Sequence, residues 1–263
     1  MVTARQIVDS LYAIAPGYMA ESWDTDGLVV GRSDAEITGV LVALDLTLSV
    51  LQEALEKNCQ MVLTHHPAIF GGLKKLNDET VTGKRVLFAA ENRIACVNMH
   101  TCIDNAADGV NDILAERLGL EAHYVASPRG KDAEGRDYGY VRVGTVPECQ
   151  LGEYLQIVKE KLGCRGLRYA PGGKSVHRVA VGGGACCDEV GIALDAGCDT
   201  FVTADFKYHQ FCDAEILGIN IIDAGHYETE APTCAYMMKH LKKAFPELRV
   251  YLSEKHGSPV FFA

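Results

Sequence analysis

The sequence predicts an α/β protein of two lobes, each with a mostly parallel sheet flanked by helices. Short aliphatic and β-branched runs alternate with helix-length amphipathic segments, once in the first half of the chain and again in its last third. Such alternation is typical of βαβ units, in which successive strands pair in parallel beneath helices. With 263 residues, 48% of them hydrophobic, the chain is long enough for one large domain or two modest ones.

The predicted elements run in this order. An amphipathic helix begins the chain, and the first half continues as strand GVLVALD, helix LSVLQEALEKN, strand QMVLTHH, helix GKRVLFAAENR, strand IACVNMHT and helix GVNDILAERLG. The last third reads as HRVAVGGG, CCDEVGIALDAG, CDTFVTAD, a helical stretch, INIIDAG, TEAPTCAYMMKHLKKAF and RVYLSE. Between them lies a smaller unit of strand YVRVGTV, helix LGEYLQIVKEKLG and strand GLRYA. We therefore expect a first lobe of residues 1–123 plus 227–263 and a second lobe of residues 124–226.

A short internal repeat links the two lobes. NCQMVLTHH (58–66) and GCDTFVTAD (197–205) share a Cys, an apolar strand and a Thr at matching offsets. A duplicated βαβ unit would explain the repeat, although nine positions carry little weight. In that alignment Asp205 occupies the place of His66.

Charge argues against two classes of partner. The formal net charge is −10 and the sequence pI is about 5.4, which disfavours a general affinity for nucleic acid or an anionic membrane. A local basic groove of Lys74, Lys75, Lys84 and Arg85 stays open as an alternative. No apolar run reaches the roughly 20 residues that span a bilayer.

The cysteines and the N-terminus indicate the compartment. Ten cysteines are scattered without a Cys-x-x-Cys pair, which fits buried thiols better than disulfides or a zinc ribbon. The polar and acidic residues within the N-terminal helix do not fit a signal peptide. We therefore expect a cytoplasmic protein.

Imidazoles and carboxylates come directly after three predicted strands. His65 and His66 end one strand, His100 and Asp104 follow the next, and His226 with Glu230 follows a third. Ligands of open parallel α/β sheets bind at the carboxyl ends of strands. The sequence thus predicts a metal site at the strand ends, between the lobes.

Two ions fit these residues better than one. Adjacent residues leaving a strand project in different directions, so His65 and His66 can each serve a different ion. His226 and Glu230 would share a helical face if a helix starts after Gly225, and a carboxylate can bridge two ions. Two ions about 3.5–4 Å apart with a shared water are suited to hydrolysis. Imidazole and carboxylate ligands suit zinc, iron, manganese or nickel alike.

Each element alone also has a structural interpretation. A His-His pair can cap a helix or hydrogen-bond a loop, His226 and Glu230 can form a surface pair, and Asp104 can be a turn or N-cap residue. Gly182, Gly183 and Gly184 favour a tight turn over a phosphate loop, because they lack Walker or dinucleotide spacing. The joint placement after three strands favours the metal site.

At these residues the chain resembles the NGG-interacting-factor-three-like family, whose members are described as dinuclear metal-centre proteins and named GTP cyclohydrolase I type 2 homologues. The similarity is carried by WDTDGLVVG (23–31), VLVALDLT (40–47), LTHHPAIFGGLKKL (63–76), HTCIDNAADGVNDILAERLGL (100–120), FVTADFKYHQ (201–210) and IIDAGHYETE (221–230). The chain looks like the short form of the family, without the additional inserted domain.

The resemblance implies a role for each matching residue. His65 and His66 would bind different ions, with His226 on the His65 side, Asp104 on the His66 side and Glu230 as the bridge. It also implies a toroidal homohexamer with the metal sites facing an internal cavity. Asp45, His100 and Asp205 lie at or just beyond strand ends and could orient ligand imidazoles, or be ordinary strand-end polar residues.

The chain departs from the family pattern near the site. Thr25 and Asp26 stand within the Trp-Asp-Asn-x-Gly segment, Cys102 lies in a run that usually includes an Asn, and Ala204 replaces a Gly. These departures leave every implied ligand in place and affect the pocket walls.

These features predict a dinuclear, divalent-metal-dependent hydrolase of a nucleotide-like small molecule, with GTP cyclohydrolysis as the activity that the resemblance implies. A metal-bridging water is expected as the attacking group, and no catalytic side chain is identified. The alternative is a non-enzymatic hexameric scaffold or regulator that delivers metal or binds protein or single-stranded nucleic acid.

Overall fold

The computed structural model describes residues 1–263, and these form two compact units. The first unit comprises residues 1–106 and 233–257, and the second comprises residues 107–232 and 258–263. The segment 107–123, expected in the first lobe, therefore lies in the second unit, as do residues 227–232 and 258–263.

The first unit begins the chain with six strands and four helices: β1 (Val2–Thr3), α1 (Ala4–Tyr12), β2 (Gly27–Val30), β3 (Glu36–Ile37), β4 (Gly39–Ala43), α2 (Leu48–Glu56), β5 (Met61–Thr64), α3 (Val81–Glu91), β6 (Ala95–Asn98) and α4 (Thr101–Asn105). The second unit comes next: α5 (Val110–Arg117), β7 (Glu121–Val125), β8 (Gly130–Lys131), β9 (Asp137–Tyr138), β10 (Arg142–Cys149), α6 (Leu151–Leu162), β11 (Arg168–Ala170), β12 (Val176–Val181), α7 (Val190–Asp195), β13 (Thr200–Thr203), α8 (Tyr208–Leu217), β14 (Asn220–Asp223) and α9 (His226–Glu230). The chain then returns through α10 (Pro232–Ala244) and β15 (Arg249–Leu252).

The first unit contains a five-stranded sheet in the order β15-β4-β5-β6-β2. Its first three pairings are parallel, and only β2 runs antiparallel, against β6. Every residue of β4, β5 and β6 is buried, because a parallel sheet is covered on both faces. This burial explains why these strands read as continuous apolar runs in the sequence.

The second unit contains a six-stranded sheet in the order β11-β14-β13-β12-β10-β7. Only β12, β13 and β14 are parallel, while β11, β10 and β7 pair antiparallel. The expectation of a mostly parallel sheet is therefore wrong for this unit. The β7–β10 connection contains the β8–β9 ribbon and no helix, so it lacks the crossover that a parallel pair requires.

The segment 107–123 belongs to the second unit because its helix packs there. α5 contacts β7, β10 and β12, and Leu114, Ala115 and Leu118 join the apolar core formed by α6 and the sheet. Burial of these side chains stabilises the second unit by removing apolar surface from water.

Threonines fix the starts of three helices in the first unit. Thr3, Thr47 and Thr80 precede α1, α2 and α3, and each side-chain oxygen accepts a hydrogen bond from the backbone N–H three residues later. Each cap pairs a backbone N–H that the helix itself leaves unpaired, and it stabilises the fold by about 1 kcal/mol. The chain therefore leaves β4 and enters α2 at a defined angle, which fixes the strand end that carries Asp45.

Eight of the ten cysteines are buried, and Cys149 is partly buried and Cys212 exposed. Burial raises the pKa of Cys96 and of Cys164 to about 12, so these thiols stay protonated at neutral pH. The longest helix, α10, has 13 residues, and no helix combines the length and apolar character needed to cross a membrane.

Candidate metal centre

The His-His pair leaves β5 in the first unit with its backbone fixed. The His66 N–H donates to Leu44 O at 3.0 Å, and the Thr64 hydroxyl donates to His66 O at 2.7 Å. The two rings are tilted against each other, with centroids 4.9 Å apart and planes at 49°. The His65 side chain is fully buried, whereas that of His66 is 22% exposed.

Both imidazoles are oriented through Nδ1. His65 Nδ1 lies 2.8 Å from the Met99 carbonyl oxygen, and His66 Nδ1 lies 2.8 Å from Asp45 Oδ1. A carbonyl or an ionised carboxylate only accepts hydrogen bonds, so Nδ1 carries the proton in both rings. The neutral ring then presents a lone pair at Nε2, which is the form in which imidazole binds a metal ion.

Asp104 lies on α4 beside the His65 ring. Its Oδ1 is 3.5 Å from His65 Nε2, and its side chain is 13% exposed. This distance places Asp104 beside His65, whereas the resemblance implies that Asp104 shares an ion with His66.

His100 is placed among the imidazoles themselves. One ligand atom from each of His65, His66 and His100 lies within 4.8 Å of the others. His100 Nδ1 is held by both oxygens of Asp24, at 2.9 and 2.8 Å. The sequence leaves His100 either as a residue that orients a ligand or as an ordinary strand-end residue, and in the structure its ring is held through Nδ1 like those of His65 and His66.

Asp24 and Asp26, which sequence reasoning did not select, hold the His100 segment. Asp24 accepts from the Thr101 N–H at 3.0 Å and the Thr101 hydroxyl at 2.6 Å. Asp26 accepts from the His100 N–H at 2.5 Å and the Cys102 N–H at 3.3 Å. The signal that could have found them is the carboxylate pair in WDTDG, where Asp26 is one of the departures from the family pattern.

The pKa values of Asp24 and Asp26 are shifted in opposite directions. Burial raises the pKa of Asp26, with a smaller increase from the nearby Asp24 charge. Burial also acts to raise the pKa of Asp24, but hydrogen bonds from His100 and Thr101 outweigh it and hold that pKa well below its usual range. Asp24 is therefore the charged partner of His100 at neutral pH.

In the second unit, His226 and Glu230 begin and end α9. A helix does start after Gly225, so the two side chains share a helical face, with His226 Nε2 3.1 Å from Glu230 Oε2. His226 Nδ1 lies 2.7 Å from Asp205 Oδ2. His226 is 35% exposed and Glu230 is 5% exposed. The predicted helical pair thus exists, and Asp205 orients its imidazole.

The glycine run after β12 forms a turn against this pair. The Gly183 N–H donates to Asn111 Oδ1 at 2.7 Å, and the Gly184 N–H donates to Thr229 Oγ1 at 3.0 Å. At Gly184 φ is +58°, and a Cβ there would lie 1.9 Å from Glu230 Oε1 and 3.1 Å from His226 Nε2. Only glycine allows the backbone to approach the two side chains so closely.

A cavity of about 380 Å³ adjoins His226 in the second unit. Charged side chains line it, and the chain's last residues form one wall; the lining includes Arg168, Asp205, Asp223, Glu228 and Phe262. Arg168 pairs with Asp223. The cavity offers both charged and aromatic contacts beside a candidate ligand.

The donor set fits divalent metal ions. Both imidazole nitrogens and carboxylate oxygens are available among these candidate residues, and oxygen acceptors orient the imidazoles through Nδ1. Such donors suit zinc, iron, manganese or nickel. His209, in the segment FKYHQ, is exposed on α8 and lies outside this set.

Comparisons with known proteins are consistent across the whole chain. The family model Duf34/NIF3 (NGG1p interacting factor 3) matches residues 2–259. A Clostridium acetobutylicum protein named GTP cyclohydrolase 1 type 2 homolog is 34% identical over 247 residues, covering 94% of this chain and 92% of its own. A solved Staphylococcus aureus structure has 27% identity and a TM-score of 0.91, covering 100% of this chain and 99% of its own.

A Bacillus cereus structure described as related to NIF3 has the same fold, with a TM-score of 0.93 and 24% identity over 100% of this chain and 99% of its own. The family model and the curated relative confirm the resemblance predicted from the motifs. The chain belongs to the Duf34/NIF3 family.

Proposed function

We propose that the protein is a dinuclear, divalent-metal-dependent hydrolase of a nucleotide-like small molecule. The first unit would supply His65, His66 and Asp104 as ligands, and the second unit would supply His226 and Glu230.

The orientation of the imidazoles is the observation that carries the proposal. His65, His66 and His226 each have Nδ1 within 2.8 Å of an oxygen acceptor. Metal-binding histidines almost always have their second ring nitrogen held in this way, so the arrangement in all three supports the proposal. Asp45 and Asp205 would serve as the orienting carboxylates.

The distances suggest how the ligands divide. His65 and Asp104 would hold one ion, since Nε2 and Oδ1 lie 3.5 Å apart. His66 and His226 would hold the other, and Glu230 would bridge through its two oxygens. His100 would stand beside both imidazoles of the first unit. Zinc, iron, manganese and nickel all suit this set of donors.

Two bound ions would supply Lewis acidity and lower the pKa of a water molecule toward neutrality. The chain's own residues would hold the donors in place and keep the buried side of the site dry, since His65 and Glu230 are almost inaccessible. GTP is the first substrate to test, because the Clostridium acetobutylicum relative is named a GTP cyclohydrolase 1 type 2 homolog. We further propose a cytoplasmic, toroidal homohexamer, as the family resemblance implies.

Turnover assays test the function. The chelator-treated protein is reloaded separately with zinc, manganese, iron or nickel and incubated with GTP, other nucleotides and free bases, and products are separated by chromatography with mass detection. We expect saturable, metal-dependent hydrolysis that falls at least about a hundredfold in Glu230→Gln. Stoichiometric metal binding without turnover of any of these compounds would contradict the enzyme and favour the metal-binding scaffold.

A further inference from the structure

Trp23 and Phe70 form an exposed aromatic pair in the first unit. Their ring centroids lie 5.6 Å apart with the planes tilted by 48°. Trp23 is 56% exposed and Phe70 is 71% exposed. Two large aromatic rings left side by side in water form an apolar patch of the kind that marks a binding site.

The pair is next to the cluster of three imidazoles formed by His65, His66 and His100. The Trp23 and Phe70 rings lie 6.1 and 6.3 Å from the His100 ring, both edge-on. The His100 ring in turn lies 5.3 Å from the ring of His65 and 5.7 Å from that of His66. Exposure rises along this series, from the buried His65 to Phe70. The aromatic pair therefore forms the outer, exposed edge of the three-imidazole cluster.

An aromatic pair elsewhere shows what a structural role looks like. Phe201 and Phe206 in the second unit lie 6.0 Å apart, edge to face, and are 0% and 3% exposed. That pair gains its stability from burial within an apolar core. Trp23 and Phe70 have a comparable separation without the burial, so packing within the chain does not account for them.

The two rings are held differently. Trp23 precedes Asp24, which is fixed by hydrogen bonds from His100 and Thr101. Phe70 precedes Gly71 and Gly72, where an added Cβ would meet nothing within 4 Å, and φ at Gly71 is +73°. Trp23 thus stands on a hydrogen-bonded segment, and Phe70 precedes a glycine turn with open space around it.

We infer that Trp23 and Phe70 bind the planar heterocyclic base of the substrate by stacking and place it beside His100. This inference rests on the proposed function and names the residues that select its substrate class. The Asp24 carboxylate follows Trp23 directly, held by His100 and Thr101, and its negative charge would disfavour a phosphate at this position. A flat, uncharged π-system is the chemistry that the pair offers.

Trp23 is the chain's single tryptophan, so its fluorescence reports on this position alone. The metal-free and metal-loaded proteins are each titrated with guanosine and, as a probe without a base, with ribose 5-phosphate. We expect saturable quenching by guanosine in both forms and none by ribose 5-phosphate. Because stacking is uncharged, the guanosine affinity should change little between low and high salt.

Three variants separate stacking from simple apolar contact. Phe70→Leu keeps an apolar side chain and should weaken guanosine binding about tenfold, whereas Phe70→Tyr should retain it. Tyr208→Ala is the control, since Tyr208 is 85% exposed on α8, and should leave the affinity unchanged. Unfolding midpoints of all variants confirm that the fold is retained.

The outcomes are distinct. Absence of quenching by guanosine, or equal affinity in wild type and Phe70→Leu, would overturn the inference. Trp23 emission that shifts on protein dilution but not with guanosine would also overturn it and assign the pair to an interface between copies of this chain. Base binding without turnover would support the inference while the proposed hydrolase fails. GTP hydrolysis with a KM unaffected by Phe70→Leu would support the proposed hydrolase and overturn the inference about the aromatic pair.

Discussion

The two units orient their candidate ligands with the same arrangement. In the first unit, Asp45 follows β4 and holds His66, which lies just beyond the neighbouring strand β5. In the second unit, Asp205 follows β13 and holds His226, which lies just beyond the neighbouring strand β14. In each unit a carboxylate at the end of one parallel strand orients an imidazole beyond the end of the next.

The segments after these strands differ between the units. The first unit continues from His66 into Pro67 and a loop, and it gathers three imidazoles from two strand ends. The second continues into α9, whose last residue places the Glu230 carboxylate beside His226. A common strand-end arrangement therefore yields an imidazole-rich set when a loop comes next and an imidazole-carboxylate pair when a helix comes next.

The internal repeat takes a new meaning from this comparison. By sequence alignment Asp205 corresponds to His66, but by contact it corresponds to Asp45, because it holds the imidazole of the next strand. The repeat thus marks equivalent strands whose end residues have different partners. A sequence alignment of β5 with β13 cannot show this difference.

The largest expected effect on stability is at Gly184. There the backbone of the second unit lies directly against the candidate ligands Glu230 and His226. Gly184→Ala should lower the free energy of unfolding by about 2–4 kcal/mol, because φ is +58° and the new Cβ would lie 1.9 Å from Glu230 Oε1. Chemical denaturation measures it. Gly191→Ala is the control, since a Cβ there meets nothing within 4 Å and α7 should gain about 0.5–1 kcal/mol. Equal denaturation midpoints for the two variants would contradict the close approach of Gly184 to Glu230.

The orienting carboxylates test the equivalence of the two units directly. Asp45→Ala and Asp205→Ala should each weaken metal binding about 10–100-fold, because the imidazole loses the acceptor that fixes its orientation. Competition with a chromogenic chelator measures the affinity. Asp34→Ala, which breaks an exposed pair with Arg32, should have no effect. If only one of the two substitutions weakens metal binding, Asp45 and Asp205 do not have equivalent roles.

The smallest effect concerns Asp24, which has no counterpart in the second unit. Its folded-state pKa is depressed below the ordinary 3.8, so its contribution to stability is complete above that value and is lost as the pH falls through the folded pKa. Asp24→Asn should therefore lower stability by about 1–2 kcal/mol at neutral pH and narrow the gap to wild type below about pH 4. Thermal unfolding across this range checks it, and a constant gap at every pH would argue against a charged Asp24.

Patterning predicted the buried strands because their environment is uniform. β4, β5, β6, β13 and β14 are buried along their whole length, so their apolar runs stand out. β7 is half-exposed at the sheet edge, and its sequence EAHYV gives no such signal. The antiparallel edge of the second sheet was therefore missed.

Strand ends selected the candidate site, but contacts distant in sequence could not be inferred from them. His65, His66, His226 and Glu230 stand where βαβ topology places ligands. Asp24 is 76 residues from its partner His100, and no local pattern connects the two. The proximity of Asp104 to His65 is likewise a contact across 39 residues that no local pattern predicts.

Metal content per chain tests the central claim, that the candidate imidazole and carboxylate ligands hold two ions. Inductively coupled plasma mass spectrometry is applied to protein purified without added metal, beside His66→Ala and Glu230→Ala. The account predicts about two ions per chain in the wild type, about one in His66→Ala, and weakened binding of both in Glu230→Ala. A wild type without metal even after reconstitution with zinc, manganese, iron or nickel would contradict it and leave the oriented histidines as structural residues.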